Sequence, residues 1–390
     1  MTAPLRIGFI PLVDAATLII AVDKGFAAAE GLEVELVREI SWSNVRDKLN
    51  IGLFDAAHLL APVAIASSLG LGHVKVPILA PFNFGINGNA ITVSPTLHAA
   101  LMEEIDGDRF DPLVTAKALS RVVAKRRKAG AEPLIFGMTF PFSTHNYQLR
   151  FWMGAGGIDP DEDVRLVVLP PPYMVDSLAN GQVDAFCVGA PWNSVAVDLG
   201  IGHILHFVSD ILVRAAEKVL AVRQVWAERH PDTVASLVRA ADRAAEFLEQ
   251  PENRDEATQI LAQPTRIGVD AAVIRRVLDG RLKISPDGSM RDSGRYLLVG
   301  REGAGRPDPI QAAWLYAQMV RWGQTPLGEV GLKTAMAVFR PDLYDAALGG
   351  ASRRGQAADG APFSAFAGPA FDPNDVAGYL DAFDVGRPAR

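Results

Sequence analysis

The chain has 390 residues, of which 49% are apolar and 21% charged, with a net charge of −7 and one cysteine, Cys187. That composition excludes a disordered, collagen-like or disulfide-stapled class, and the length suggests two lobes. The acidic balance argues against a nucleic-acid face, and a lone cysteine allows no internal disulfide.

No apolar run approaches the ~20 residues that span a bilayer. Residues 1–6 lead straight into the first apolar run at Ile7-Gly8-Phe9-Ile10, with no charged n-region, h-region or cleavage site before it. The expected location is therefore cytoplasmic, although a trimmed export product would look similar.

In chain order, residues 6–12 read as a strand, 15–28 as a helix, 32–37 as a strand and 44–51 as a helix closed by Gly52. A strand at 55–59, a helix at 63–69 and a strand at 76–79 follow. A Gly/Asn-rich stretch, Gly85-Ile86-Asn87-Gly88-Asn89, precedes a strand at 90–93. Residues 112–128 read as a polar helix. Its basic end, Lys125-Arg126-Arg127-Lys128, is either a solvated helix terminus or a dock for an acidic partner. A second βα series has strands at 134–139, 164–169 and 184–188, helices at 144–154 and 174–179, and a helix opened by Pro191. A strand at 218–222 precedes a helix at 226–249. The remainder is mostly helical, with Gly/Pro-rich loops at 300–309 and 358–369.

Strands alternating with helices predict an α/β fold with parallel sheets. The pattern predicts a chain that crosses to a second lobe near 90–100 and returns near 208–222. The lobes are then 1–95 plus 218–390 and 96–217, with a hinged cleft between them as the ligand site.

Candidate residues sit at strand-to-helix junctions, where open α/β sheets bind ligands. Asp14 in Pro11-Leu12-Val13-Asp14-Ala15-Ala16 reads as an N-cap. Trp42 in Ser41-Trp42-Ser43-Asn44 reads as a pocket wall, an indole donor or a packing residue. Ser143 reads as the N-cap that places Thr144 and His145 in a first helical turn, which favours an anion. Lys218, after Glu217, reads either as a surface lysine or as the one full positive charge in the cleft. Cys187 lies in an apolar strand with nothing to activate it as a nucleophile. There is no phosphate-binding glycine motif, no CxxC and no nucleophile elbow. The histidines at 58, 73, 98, 145, 203, 206 and 230 lack metal-ligand spacing. The expectation is a binding protein without cofactor or metal, not an enzyme.

Several segments together resemble one family. They are Gly8-Phe9-Ile10-Pro11-Leu12-Val13-Asp14-Ala15-Ala16, Lys24-Gly25-Phe26 and Ser41-Trp42-Ser43-Asn44-Val45-Arg46-Asp47, then Thr139-Phe140-Pro141 with Thr144-His145. Pro170-Pro171-Pro172-Tyr173-Met174, Phe186-Cys187-Val188-Gly189 with Pro191-Trp192-Asn193, Arg321-Trp322-Gly323 and Phe371-Asp372-Pro373 continue the series. They resemble the nitrate- and bicarbonate-binding proteins of cyanobacterial ABC importers. A leaderless member looks like the NasS-type nitrate/nitrite sensors that sequester the RNA-binding antiterminator NasT.

The resemblance implies a two-lobed periplasmic-binding-protein-like fold of type II with a helical C-terminal extension. It implies a nitrate/nitrite-binding sensor that regulates nitrate assimilation through an anion-dependent interaction with a NasT-like antiterminator. That role involves no direct nucleic-acid contact and no membrane. The alternative is the solute-binding component of a nitrate or bicarbonate ABC transporter. By motif position the anion ligands are Trp42, Asn87 or Asn89, His145 and Lys218, and Asp14 and Thr144 join them as junction residues. Two departures stand out. Asn87 or Asn89 replaces the importers' Gln, and Ala190 replaces their Glu, which should leave the cleft less negative. The bicarbonate branch carries an acidic residue at the position of Lys218 and uses a metal, so Lys218 favours nitrate or nitrite. On this view one lysine and a set of neutral donors hold the anion, and Lys218→Ala or His145→Ala abolishes binding without unfolding the chain.

Overall fold

The computed structural model describes residues 4–72, 74–349 and 363–386. His73, residues 1–3 and the first part of the expected loop at 358–369 lie outside the described residues.

Thirteen strands are seen among the described residues: β1 (Leu5–Phe9), β2 (Val34–Arg38), β3 (Ala56–Leu60), β4 (Ile78–Asn87), β5 (Asn89–Val93), β6 (Ile135–Met138), β7 (Arg165–Val168), β8 (Ala185–Gly189), β9 (His203–Phe207), β10 (Ala216–Arg223), β11 (Arg281–Lys283), β12 (Met290–Asp292) and β13 (Leu297–Leu298). One sheet has the order β13-β4-β10-β3-β1-β2 and a second the order β7-β6-β8-β5-β9, while β11 and β12 form a small hairpin. In the first sheet β1 runs parallel to β2 and β3, and β10 is antiparallel to β3 and β4. In the second, β6 runs parallel to β7 and β8, and β5 is antiparallel to β8 and β9. Two such sheets define a mixed α/β, two-lobed, periplasmic-binding-protein-like fold.

The burial pattern explains these elements. The strands β3, β5 and β8 are buried throughout, as strands covered on both faces must be. The helix Pro231–Glu249 buries Val234, Leu237, Val238, Ala241, Ala244, Ala245 and Leu248, a 3.6-residue stripe laid on the first sheet's core.

Sheet membership moves the expected lobe boundary. The chain leaves the first sheet at Asn87 and enters the second at Asn89, so the crossing is at Gly88 rather than 95/96. It returns at Ala216, with Glu217 as well as Lys218 on the first sheet. In the Gly/Asn-rich stretch, Gly85–Asn87 end the ten-residue strand β4 and Asn89 begins β5. Gly85 lets the strand pass close to the site, since a Cβ there would lie 3.2 Å from both the Asp14 Cβ and the Leu297 Cδ1. Gly88 has φ +93°, a conformation that glycine adopts without strain.

Other differences have local causes. The expected helix at 226–249 is two helices, Gln224–Arg229 and Pro231–Glu249, because Pro231 disfavours a helical His230. The helix Pro95–Glu104, capped by Ser94, and the strands β9, β11, β12 and β13 are not legible in the sequence. Pro191 sits in a cis bond before the helix Trp192–Asp198 instead of at its first position.

The C-terminal part does not belong to the first lobe alone. Trp314 of the helix Pro309–Arg321 packs on Phe151 of the second lobe, as do Phe366 and Phe383. Backbone bonds Val213 N–H to Ser364 O and Phe366 N–H to Ile211 O fix the segment across the return crossing. The basic run at 125–128 is locally compensated. Lys125 pairs with Glu104, Arg127 with Asp163, and Arg126 donates to the Glu132 carbonyl.

Candidate functional site

A polar cluster is buried where the two sheets meet. Asp14, Trp42, His58, Asn89, Thr144, His145, Gln148, Glu217 and Lys218 are each at most 2% exposed. The first lobe contributes Asp14 from the turn after β1, Trp42 from the helix after β2, His58 from β3, and Glu217 and Lys218 from β10. The second contributes Asn89 from β5 and Thr144, His145 and Gln148 from the helix Thr144–Ala155.

Local structure explains how each side chain is aimed. Ser41 accepts from the Asn44 N–H and starts the helix Trp42–Asn50, so Trp42 stands in its first turn. Ser143 caps Thr144–Ala155 in the same way, accepting from the Asn146 N–H at 3.1 Å. Neighbouring residues of a regular strand face opposite ways. The β10–β4 register shifts at Ala216/Lys218 and again at Lys218/Val219. This bulge brings both Glu217 and Lys218 into the cluster.

Lys218 Nζ lies 2.8 Å from Asp14 Oδ2 and 3.4 Å from Glu217 Oε1. It also stands 5.5 Å from the centre of the Trp42 ring, within cation–π range. His58 Nε2 donates to Asp14 Oδ1 at 3.0 Å. Thr144 Oγ1 donates to the Glu217 carboxylate. His145 Nδ1 is 3.0 Å from Thr139 Oγ1 and 3.5 Å from Glu217 Oε1. Gln148 Oε1 accepts from Asn89 Nδ2 at 3.3 Å and from the Cys187 thiol at 3.8 Å.

These contacts fix the charges. Burial would raise the Asp14 carboxyl, but Lys218 and His58 hold it at about 2. Burial pushes Lys218 down, yet the two carboxylates overcome it and the ammonium is raised above its ordinary value. Burial raises Glu217, against the opposing effect of Lys218. Burial, with Lys218 beside it, lowers His145 far below the ordinary imidazole range and keeps it neutral. Burial likewise raises the Cys187 thiol well above its usual value, so Cys187 is no thiolate nucleophile.

Four buried nitrogens of the cluster, Trp42 Nε1, His58 Nδ1, His145 Nε2 and Gln148 Nε2, have no hydrogen-bond partner among the described residues. An indole N–H and an amide nitrogen only donate. His145 Nε2 donates when Nδ1 accepts from Thr139. The buried acceptors Asn89 Oδ1 and, its ion pair with Lys218 apart, Asp14 Oδ2 are likewise without a hydrogen bond, and His58 Nδ1 is an acceptor when Nε2 donates to Asp14. Three unpartnered donors stand beside one buried ammonium, an arrangement that suits a small anion.

The structure sorts the expected ligands. Trp42, Asn89, Thr144, His145, Lys218 and Asp14 come together. Asn87 does not join them. Its side chain donates to the Val213 and Arg295 carbonyls and accepts from the Ala215 N–H. With φ +62° it holds the hinge. Asp14 is no N-cap, since Leu12 takes that position. A carboxylate held ionised cannot donate to an anion, so Asp14 positions Lys218 instead. The expected loss of negative charge at Ala190 is offset by Glu217, and Lys218 is shared between two carboxylates rather than standing alone.

Three members of the cluster are not among the expected site residues: His58, Gln148 and Glu217. Gln148 was within reach, being three residues past His145 on one helix face. Among the described residues no group of three or more His, Cys, Asp or Glu could hold a metal ion.

The fold and this interlobe cluster define a solute-binding type of protein. The NMT1-like family model matches residues 1–262, and the chain belongs to that family. It is 31% identical over 388 residues to the nitrate/nitrite binding protein NrtA of Synechococcus elongatus, covering 97% of this chain and 85% of that one. It is 33% identical over 391 residues to the nitrate import ATP-binding protein NrtC of Synechocystis, but spans only 55% of that protein's length. The crystal structure of the periplasmic nitrate-binding protein NrtA from Synechocystis superposes with a TM-score of 0.88 at 27% identity, covering 98% of both chains.

Proposed function

We propose that this protein binds nitrate or nitrite between its lobes and does no chemistry on it. The observation that carries this reading is the fully buried Lys218 ammonium beside the unpartnered donors Trp42 Nε1, His145 Nε2 and Gln148 Nε2. A planar monoanion takes several weak hydrogen bonds and brings one charge. Sulfate or phosphate would bring surplus charge to a cluster that already holds two carboxylates. The relatives named for nitrate or nitrite binding support the same anion class.

We read its role as sensing in the cytoplasm. Anion binding closes the lobes and changes affinity for an RNA-binding antiterminator of the NasT type. Thermodynamic linkage then requires the partner to change anion affinity by the same factor. A second reading, a component of a nitrate importer, is favoured by similarity along nearly the whole chain to import proteins.

Calorimetric titration with nitrate, nitrite, bicarbonate and sulfate, with and without a NasT-type protein, tests both. Saturable binding of nitrate or nitrite, shifted by the partner, supports the sensor. Saturable binding that the partner leaves unchanged supports the importer component. Sulfate binding as tightly as nitrate contradicts the anion assignment.

A further inference from the structure

We propose that Glu217 takes up one proton from solvent as the lobes close on an anion, so that nitrate or nitrite is captured together with a proton. This rests on the anion-binding reading above and adds a control that the reading does not contain.

One ammonium, Lys218, faces two carboxylates, Asp14 and Glu217, and none of the three is exposed. A bound monoanion would set three negative charges against one positive charge in the same enclosure. Such an excess has no solvent to screen it.

Glu217 is the group placed to relieve it. Asp14 is locked by two strong donors, Lys218 at 2.8 Å and His58 at 3.0 Å. Glu217 has Lys218 only at 3.4 Å, and its other contacts are neutral. Lys218 faces it from its own strand, Asp14 from the turn after β1 with His58 behind it, and Thr144 and His145 from the helix of the second lobe. Asn89 faces it from β5 and Cys187 from β8. Beyond them Tyr296, raised by burial, stays a phenol. His145 and Cys187 are kept neutral by burial, so Lys218 is the only cation among these groups.

The same proton sets the histidine. Ionised Glu217, 3.5 Å from His145 Nδ1, competes with the Thr139 hydroxyl at 3.0 Å for that nitrogen and favours the tautomer with the proton on Nδ1 and a lone pair on Nε2. That lone pair repels an anion. Protonated Glu217 forms an O–H bond that can be donated to Nδ1, and the ring proton then sits on Nε2 as a donor. No bond of the anion changes, and the proton returns to solvent on opening.

Sodium nitrate titrations of the full chain test this. Enclosure between the lobes raises the Glu217 carboxyl above the ordinary carboxylate value. Affinity is therefore highest at low pH and weakens as pH rises, by ~tenfold per pH unit between the free and bound values. At a fixed pH in that window the binding enthalpy also varies with the buffer's ionisation enthalpy, reporting uptake of about one proton. In Glu217→Gln the pH slope and the buffer dependence vanish, whatever the absolute affinity. Thr144→Ala, which removes a donor to the carboxylate, extends proton uptake to higher pH and serves if Glu217→Gln does not fold.

Nitrate binding with neither pH slope nor buffer dependence overturns the inference and leaves the anion reading standing. Proton uptake that persists in Glu217→Gln assigns the proton elsewhere, with His145 foremost, and also overturns it. Absence of nitrate and nitrite binding at every pH overturns both.

Discussion

At the scale of single residues, Lys218 does two jobs. It is the cation offered to an anion and the counter-ion of two buried carboxylates. The sequence reading expected Lys218→Ala to lose binding and keep its fold. The structure predicts a larger effect. Removing the ammonium leaves Asp14 and Glu217 buried without a counter-charge, at a cost of ~3–5 kcal/mol. Urea denaturation should show a midpoint well below that of His145→Ala, which removes a neutral group. Equal midpoints for the two variants would contradict this account. Asp14 adds a pH dependence of defined sign. Its carboxyl is depressed from 3.8 to about 2, so the stability it contributes is present above 3.8 and is lost as pH falls through about 2. Unfolding midpoints measured across that range should drop for the wild type, and Asp14→Asn should flatten the drop.

At the scale of elements, the bulge at the start of β10 decides the site, and no periodicity rule announces a bulge. Alternation assigns Glu217 and Lys218 to opposite faces, which is why only Lys218 was singled out as a ligand. His58 was hidden differently, in an apolar strand buried on both faces where a polar residue carries no phase. By contrast, Trp42, Thr144 and His145 were legible, because capping serines at 41 and 143 fix where their helices begin. Asn87 and Asn89 could not be told apart from sequence, since their difference is a left-handed backbone at residue 87. The β8 strand ends at Gly189, where a Cβ would lie 3.3 Å from both Asn89 Oδ1 and Asp14 Oδ2. Gly189→Val is expected to crowd these groups and weaken nitrate binding by about tenfold or more, as overpacking of ~1–3 kcal/mol implies. A titration showing unchanged affinity would mean that this strand end does not shape the pocket.

At the scale of the molecule, two sheets joined by crossings at Gly88 and at 208–215 supply the hinge, and βα alternation made that plan readable. The role of the C-terminal region was not readable, because packing between distant segments leaves no local pattern. Residues 363–386 tie the helix Pro309–Arg321 to the second lobe. Phe383 packs 5.7 Å from Phe151 and 5.0 Å from Tyr379, centre to centre, with the Arg321 guanidinium 3.7 Å from the centre of its ring. Phe383→Ala should cost ~3 kcal/mol as a buried aromatic truncation. Small-angle scattering should then show a larger radius of gyration for the anion-free variant than for the wild type. An unchanged radius would mean that this segment does not restrain the lobes.

The central claim is that a small monovalent oxyanion sits between the lobes on Lys218, Trp42, His145 and Gln148. A crystal structure of the protein grown with sodium nitrate tests it most directly. The account predicts a planar anion enclosed by the lobes, with its oxygens within hydrogen-bond distance of Lys218 Nζ, Trp42 Nε1, His145 Nε2 and Gln148 Nε2. Nitrate bound elsewhere, or lobes closed on these side chains with the ammonium making no contact to an anion, would contradict it.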